Sequence, residues 1–225
     1  MKYRCLVLDH DDTVVNSTAT IHYPCFLDFL KAYRPEVYAH GYTLEEYFRK
    51  NFDPGITALL RDEVGLDDAG IAFEYRYWCD YSRDLVPDAY KGIRSLLERF
   101  RSCGGHIAVV SHSVSENILR DYRANGLPEP ELVFGWDCPP EHRKPSIWPL
   151  QQIMEHLSLA PEQLLVVDDL KPGYDMAKAC GVPFAAAGWA YEVPEIEAFM
   201  RKNSDFYFKT IDALDRFLFG PGAED

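Results

Sequence analysis

The stretch LVLDHDDTVV, residues 6–15, decides how the rest of the chain is read. An apolar run passes straight into three acids within four positions, Asp9, Asp11 and Asp12. In an open α/β sheet the carboxyl ends of the strands line the crevice where ligands bind, so a strand ending here would deliver those acids to such a crevice. The same form recurs downstream. HIAVVS (106–111) delivers Ser111 with His112 and Ser113, and LLVVDD (164–169) delivers Asp168 and Asp169. With YRCLVL (3–8), LVFG (132–135), PFAAAG (183–188) and FYFK (206–209), these read as short strands mostly apolar on both faces, which suits a parallel sheet covered on each side. Ile93, Leu96, Leu97 and Phe100 recur at helical spacing, as do Ile147, Leu150, Met154 and Leu157. Strand and helix therefore alternate, and the expected class is α/β: a Rossmann-like open parallel sheet with helices on both faces.

One segment breaks the alternation. From Thr13 to Pro87 only helical patterning appears, with Tyr23, Phe26, Leu27, Leu30 and Tyr33 on one face, followed by TLEEYFRKNF, ITALLRDEVG and AFEYRYWCDY. The expected organisation is a core formed by residues 1–15 and 86–225 and an inserted α-helical cap domain over 16–85. FDPG (52–55) and the LVPDAY region (85–90) punctuate it. The aromatic group Phe73, Tyr75, Tyr77, Trp78 and Tyr81 is expected to form mostly cap core.

With 225 residues and 47% hydrophobic content, the chain can bury a core of its own. A formal net charge of −13 repels polyanions, so nucleic acid and acidic membrane are poor partners. Cys5, Cys25, Cys79, Cys103, Cys138 and Cys180 are scattered without a CxxC pair, which favours a reduced setting. MKYRCLVLDH lacks the apolar run of a signal peptide, and no window of eighteen apolar residues exists. The expectation is a cytoplasmic protein, monomer or homodimer.

Four loops then converge: carboxylates from two, the hydroxyl of Ser111 from a third, and the ammonium of Lys144, in HRKPSIW, from a fourth just before a helix with Ser146 as its N-cap. Acids after a strand often do no more than cap a turn. Here their number argues otherwise. Two carboxylates roughly 4 Å apart repel by about 4 kcal/mol at an effective dielectric near 20, so Asp9, Asp11, Asp168 and Asp169 need a cation to share a site ionised. All-oxygen ligands favour a hard ion such as Mg2+, which pairs with phosphate oxygens.

Taken in order, DHDDT, VVSHS, RKP and VVDD resemble the four motifs of the haloacid dehalogenase superfamily, in its phosphoglycolate phosphatase and β-phosphoglucomutase-like branch, and the helical insert resembles the C1 cap of that superfamily. The resemblance implies a magnesium-dependent phosphatase of small phosphorylated metabolites. Asp9 would be the nucleophile and Asp11 the general acid and base. Ser111, His112 and Lys144 would contact the phosphoryl group or substrate, and Asp9, the Asp11 carbonyl, Asp168 and Asp169 would hold Mg2+. Dehalogenases lack an acid two residues after the nucleophile, so Asp11 argues for phosphotransfer. A phosphosugar mutase is the alternative within the superfamily; a phosphoacceptor switch or an inactive scaffold is the alternative outside enzymes.

Two departures from the pattern stand out. Asp12 occupies the usual place of Gly, and Gly173 stands where many phosphatases carry a second acid. Asp175 then reads as a first-turn helix acid. His10 should point away from its acidic neighbours by strand alternation. Arg49 and Lys50 read as a solvated basic pair, and His22 as a cap residue near the place where mutase-like relatives carry a His.

Overall fold

The computed structural model describes residues 2–220. The chain begins with β1 (Cys5–Leu8), and helices α1 (Tyr23–Tyr33), α2 (Pro35–Tyr38), α3 (Leu44–Phe52), α4 (Ile56–Ala58) and α5 (Asp68–Ser82) follow. It then runs through α6 (Ile93–Ser102), β2 (His106–Val110), α7 (Ser115–Ala124), β3 (Leu132–Phe134), α8 (Trp148–Leu157) and β4 (Leu164–Asp168). The described chain closes with α9 (Lys171–Cys180), β5 (Phe184–Ala187), α10 (Pro194–Asn203), β6 (Phe206–Phe208) and α11 (Ile211–Phe219). Two compact units result, Met1–Asn16 with Asp88–Asp225, and Ser17–Pro87.

The first unit is a six-stranded parallel sheet in the order β3-β2-β1-β4-β5-β6. This is the α/β class expected from the alternation. The six apolar runs are the six strands, shortened at their ends. The outermost strands β3 and β6 keep only three residues each, because an edge strand has one ladder partner and its side chains are partly exposed. The central strands β1 and β4 are buried along their whole length. Leu6, Leu8, Ile107, Val109, Leu165 and Val167 pack against Leu97 and Phe100 of α6 and Tyr122 of α7 in one apolar cluster. Truncating a ring such as Phe100 there would cost about 3–5 kcal/mol.

Chain direction across the sheet reverses between β1 and β4, and that reversal is where an open sheet forms its ligand crevice. Register sets what stands there. Leu8 pairs with Val109 on one side and Val167 on the other, so Asp9 follows level with the ends of β2 and β4. The Asp9 N–H continues the ladder by donating to the Val167 carbonyl at 2.9 Å.

The second unit is helical and packs Phe26, Phe29 and Leu30 of α1 against Tyr47, Leu59, Leu60 and Val64. A capping box of Thr43 and Glu46 starts α3. The aromatic residues of α5 form core only in part, with Tyr77 packed against the cap cluster. Phe73, Tyr75, Tyr77, Trp78 and Tyr81 are half-buried or exposed, because apolar positions spread around the whole helix and only part of it meets α1. Phe73 and Tyr77 meet Phe29 and Tyr33 edge-on or tilted. Trp78 donates its indole N–H to His22 Nδ1 at 2.9 Å. Arg49 and Lys50 lie at the surface in ion pairs with Glu45 and Glu63. Among the described residues no helix is long and apolar enough to cross a membrane.

Candidate active site

The loop after β1 folds back on itself: the His10 carbonyl accepts from the N–H groups of Val14 and Val15, and Asp12 N–H donates to Val15 O at 2.7 Å. That turn needs a left-handed residue, and Asp12 supplies it with φ +57°, a conformation Asp tolerates better than most side chains. The residue standing in the usual place of glycine thus keeps the backbone shape. Its carboxylate is buried and accepts a long hydrogen bond from Tyr90 at 3.4 Å. His10 turns from the acids flanking it to Asp121 on α7, 3.0 Å from Nε2, and stacks on Tyr122. His10 and Asp121 are both buried, so the pair ties the acidic loop to the helix after β2.

Lys144 is the centre of the site. Its ammonium is buried and donates to Asp9 Oδ1 at 2.6 Å and to Asp168 Oδ2 at 2.8 Å. Burial alone would push its pKa down, but Asp168 and Asp9 reverse that and hold the lysine charged. The second oxygen of Asp9 has no hydrogen-bond partner among the described residues. Asp168 uses its other oxygen to accept from Leu170 N–H at 2.8 Å. Gly173 makes this arrangement possible: a Cβ there would stand 2.0 Å from Asp168 Oδ2. Asp175 is half-exposed and paired with Lys171 on the same helix, away from this cluster.

Asp9, Asp168 and Asp169 bring ligand oxygens within 4.8 Å of one another, all from buried residues. One ammonium faces three carboxylates. Burial first, then the charge of Asp9, raises the Asp168 pKa to about 7 even with Lys144 beside it. Burial and the neighbouring charges of Asp168, Asp9 and Asp12 lift Asp169 well above the carboxylate range. Asp169 Oδ2 is buried without a partner, an open lone pair where a cation ligand would be. The rest of Asp169 is held: Thr13 Oγ1 lies 3.4 Å from Oδ1, and Tyr191 donates to its carbonyl at 3.0 Å. A hard dication fits this donor set, which is all oxygen, over-charged and short of one partner.

The Asp11 carboxylate stands outside that group of three. It accepts from Ser113 Oγ at 2.6 Å and, more weakly, from Ser111 Oγ at 3.4 Å. Any share in a metal site would fall to its carbonyl. His112 Nε2 faces the Lys144 carbonyl at 3.1 Å, and burial together with the Lys144 charge lowers its pKa to about 4, so it is a neutral donor that holds the lysine loop. Ser146 does not cap α8. Ile147 occupies that position, and the Ser146 hydroxyl accepts from Trp148 N–H at 3.4 Å. Sequence reasoning gave no role to Ser113, Thr13, Tyr191 or the His10–Asp121 pair. Thr13 and Ser113 carried a signal, as the last residues of DHDDT and VVSHS.

The fold has counterparts in known proteins. A family model described as haloacid dehalogenase-like hydrolase matches residues 6–187. The chain belongs to the haloacid dehalogenase-like hydrolases. Among curated relatives, pyrophosphatase PpaX of Bacillus cereus (strain Q1) is 24% identical over 193 residues, covering 84% of this chain and 85% of the relative. Among solved structures, a protein from Bacteroides fragilis assigned as a haloacid dehalogenase-like hydrolase aligns with TM-score 0.78 and 21% identity over 95% of this chain and 100% of its own. A protein from Lactobacillus plantarum assigned as a phosphoglycolate phosphatase aligns at 0.74 and 22%, covering 96% and 99%. A variant of CbbY from Rhodobacter sphaeroides, in complex with xylulose 1,5-bisphosphate, aligns at 0.68 and 19%, covering 92% and 94%. The helical insertion after β1 fits the C1 cap of this hydrolase family.

Proposed function

We propose that this hydrolase is a magnesium-dependent cytoplasmic phosphatase of small phosphorylated metabolites that works through an aspartyl-phosphate on Asp9. The observation that carries the reading is Lys144 buried between Asp9 and Asp168, with the unpartnered Asp169 oxygen beside them. Lys144 fixes one oxygen of Asp9 and leaves the other to attack phosphorus as the bond to the leaving oxygen breaks. Asp11 gives its proton to the departing alkoxide, then takes one from the water that attacks the phosphoryl group and frees Asp9. Ser113 and Ser111 orient Asp11 for both steps. Ser111, whose backbone N–H closes the β2–β3 ladder onto Phe134 O, has its hydroxyl 3.4 Å from Asp11 Oδ2 and would donate to a phosphoryl oxygen.

Asp9, Asp168, Asp169 and the Asp11 carbonyl would hold Mg2+, which when bound offsets the carboxylate charge and stabilises charge on the phosphoryl oxygens. The names of the relatives, a pyrophosphatase and a phosphoglycolate phosphatase, support small phosphorylated substrates. The test is phosphate release from a panel of phosphate esters with and without MgCl2, run beside Asp9→Asn and Asp11→Asn. Wild-type turnover should need magnesium, and both variants should lose it while keeping their circular-dichroism spectra. Full activity of Asp9→Asn would overturn the nucleophile assignment.

A further inference from the structure

The loop between β3 and Lys144 carries a second cationic group whose binding capacity is unused. Gly135 is packed so closely on the Ser113–Ser115 backbone that a Cβ would stand 2.6 Å from Ser113 O. Asp137 Oδ1 accepts from both Ser115 N and Ser115 Oγ, at 2.7 and 2.9 Å, and Trp136 N–H donates to Ser113 O at 2.9 Å. The loop is thereby laced to the serine loop of the active site. On this platform Trp136 stands edge-on to His112, with ring centroids 5.2 Å apart. Arg143 lies over the other ring system, its guanidinium carbon 4.4 Å from the Trp136 centroid.

Arg143 Nε donates to Cys138 O at 2.7 Å, which fixes the plane of the fork. Its two terminal nitrogens have no hydrogen-bond partner and no ion pair among the described residues, although the chain carries 36 acids against 23 bases. A planar guanidinium stacked on an indole, tied through Nε and open at both Nη atoms, is preorganised to take an oxyanion end-on. It sits in the residue before Lys144, at the carboxyl edge of the sheet, two ring contacts out from the loop of Ser111.

We propose that Arg143, on its Trp136 platform, is a subsite for a second anionic group of the substrate, so that the preferred ester carries a carboxylate or a second phosphoryl group on its leaving portion. This rests on the phosphatase reading above and deepens it. Lys144 and the acidic cluster would serve the reacting phosphoryl group, and Arg143 the far end of the same molecule.

The experiment compares three ester series of matched chain length: alkyl phosphates, ω-phosphooxy carboxylates beginning with 2-phosphoglycolate, and alkanediol bisphosphates. Each is assayed with MgCl2 for wild type, Arg143→Gln, Arg143→Lys and Trp136→Leu. Wild type should favour one anionic series over the alkyl series on the order of ten-fold in kcat/KM at its best length, the scale of a charge-assisted hydrogen bond. The anionic series that wins names the source of the oxyanion. Arg143→Gln should bring the ratio near one, mainly through KM, with Arg143→Lys and Trp136→Leu between. An unchanged ratio in Arg143→Gln, whether the two rates fall together or stay, overturns the subsite, as does a wild type with no preference. Failure of wild type to release phosphate from any series refutes the phosphatase reading itself and the subsite with it.

Discussion

Replacing Asp169 by Asn should stabilise the metal-free protein and remove its response to magnesium. The ligand oxygens of Asp9, Asp168 and Asp169 lie within 4.8 Å of one another. At an effective dielectric near 20, each pair of full charges at that separation repels by about 3.5 kcal/mol. Lys144 contacts Asp9 and Asp168 but makes no hydrogen bond to Asp169, so Asp169 carries the uncompensated share. Part of the repulsion is already relieved by proton uptake, since Asp169 is raised well above the carboxylate range. The net gain from Asp169→Asn in EDTA is then about 1–3 kcal/mol, and at about 2–4 °C per kcal/mol for a chain of this size the midpoint rises by about 2–12 °C. In wild type, magnesium at a hundred times its dissociation constant contributes about 2.7 kcal/mol, or about 5–10 °C. Thermal unfolding of both proteins in EDTA and in rising MgCl2, with NaCl at equal ionic strength as control, reads the two effects. A wild-type midpoint indifferent to MgCl2, with Asp169→Asn less stable than wild type in EDTA, would refute the reasoning.

Other perturbations follow from the same contacts. Lys144→Met strands two buried carboxylates, and urea unfolding should show a loss of about 3–5 kcal/mol, with turnover down by on the order of a hundred-fold or more. Gly173→Ala drives a methyl into Asp168 Oδ2 and should cost about 1–3 kcal/mol while cutting turnover more than stability; Asp175→Asn on the same helix should leave turnover near wild type, both read by steady-state kinetics. His112 is kept neutral in the fold with a pKa of about 4, facing Lys144, Asp9 and Asp11, whereas the unfolded chain takes up a proton below about 6.5. Its contribution is therefore complete above pH 6.5 and is lost as pH falls toward 4, and the stability drop between pH 7 and 4.5 should shrink in His112→Asn by about 1–2 kcal/mol in denaturant titrations.

The strands were legible because β1, β4, β5 and all of β2 after His106 are buried and so are apolar up to their carboxyl ends, which leaves an acid or hydroxyl at the end of a run as a conspicuous break. Register then converts those ends into a site: once Leu8 lies level with Val109 and Val167, Asp9 stands beside Asp168 at the ends of β1 and β4, with Ser111 just past the end of β2. What stayed hidden depends on which side chain turns which way after the strands are placed. His10 reaches an acid 111 residues away, Asp11 chooses Ser113 over the acidic cluster, and Gly173 matters for an atom it lacks. The residues of α5 misled in the opposite sense. Five aromatic rings read mostly as core, yet they are spread around α5 between Glu74, Arg76 and Asp80, too little neighbouring surface meets them to bury them all, and α5 is left half-wet.

The account stands on a covalent bond between phosphorus and the free oxygen of Asp9. Acid quench of wild type during turnover of a phosphate ester with MgCl2, followed by borohydride reduction and peptide mass spectrometry, tests this most directly. The account predicts reductive conversion to homoserine at residue 9, dependent on substrate and absent in Asp9→Asn. Rapid turnover with residue 9 recovered entirely as aspartate, or with the label at Asp11, Asp168 or Asp169, would contradict it.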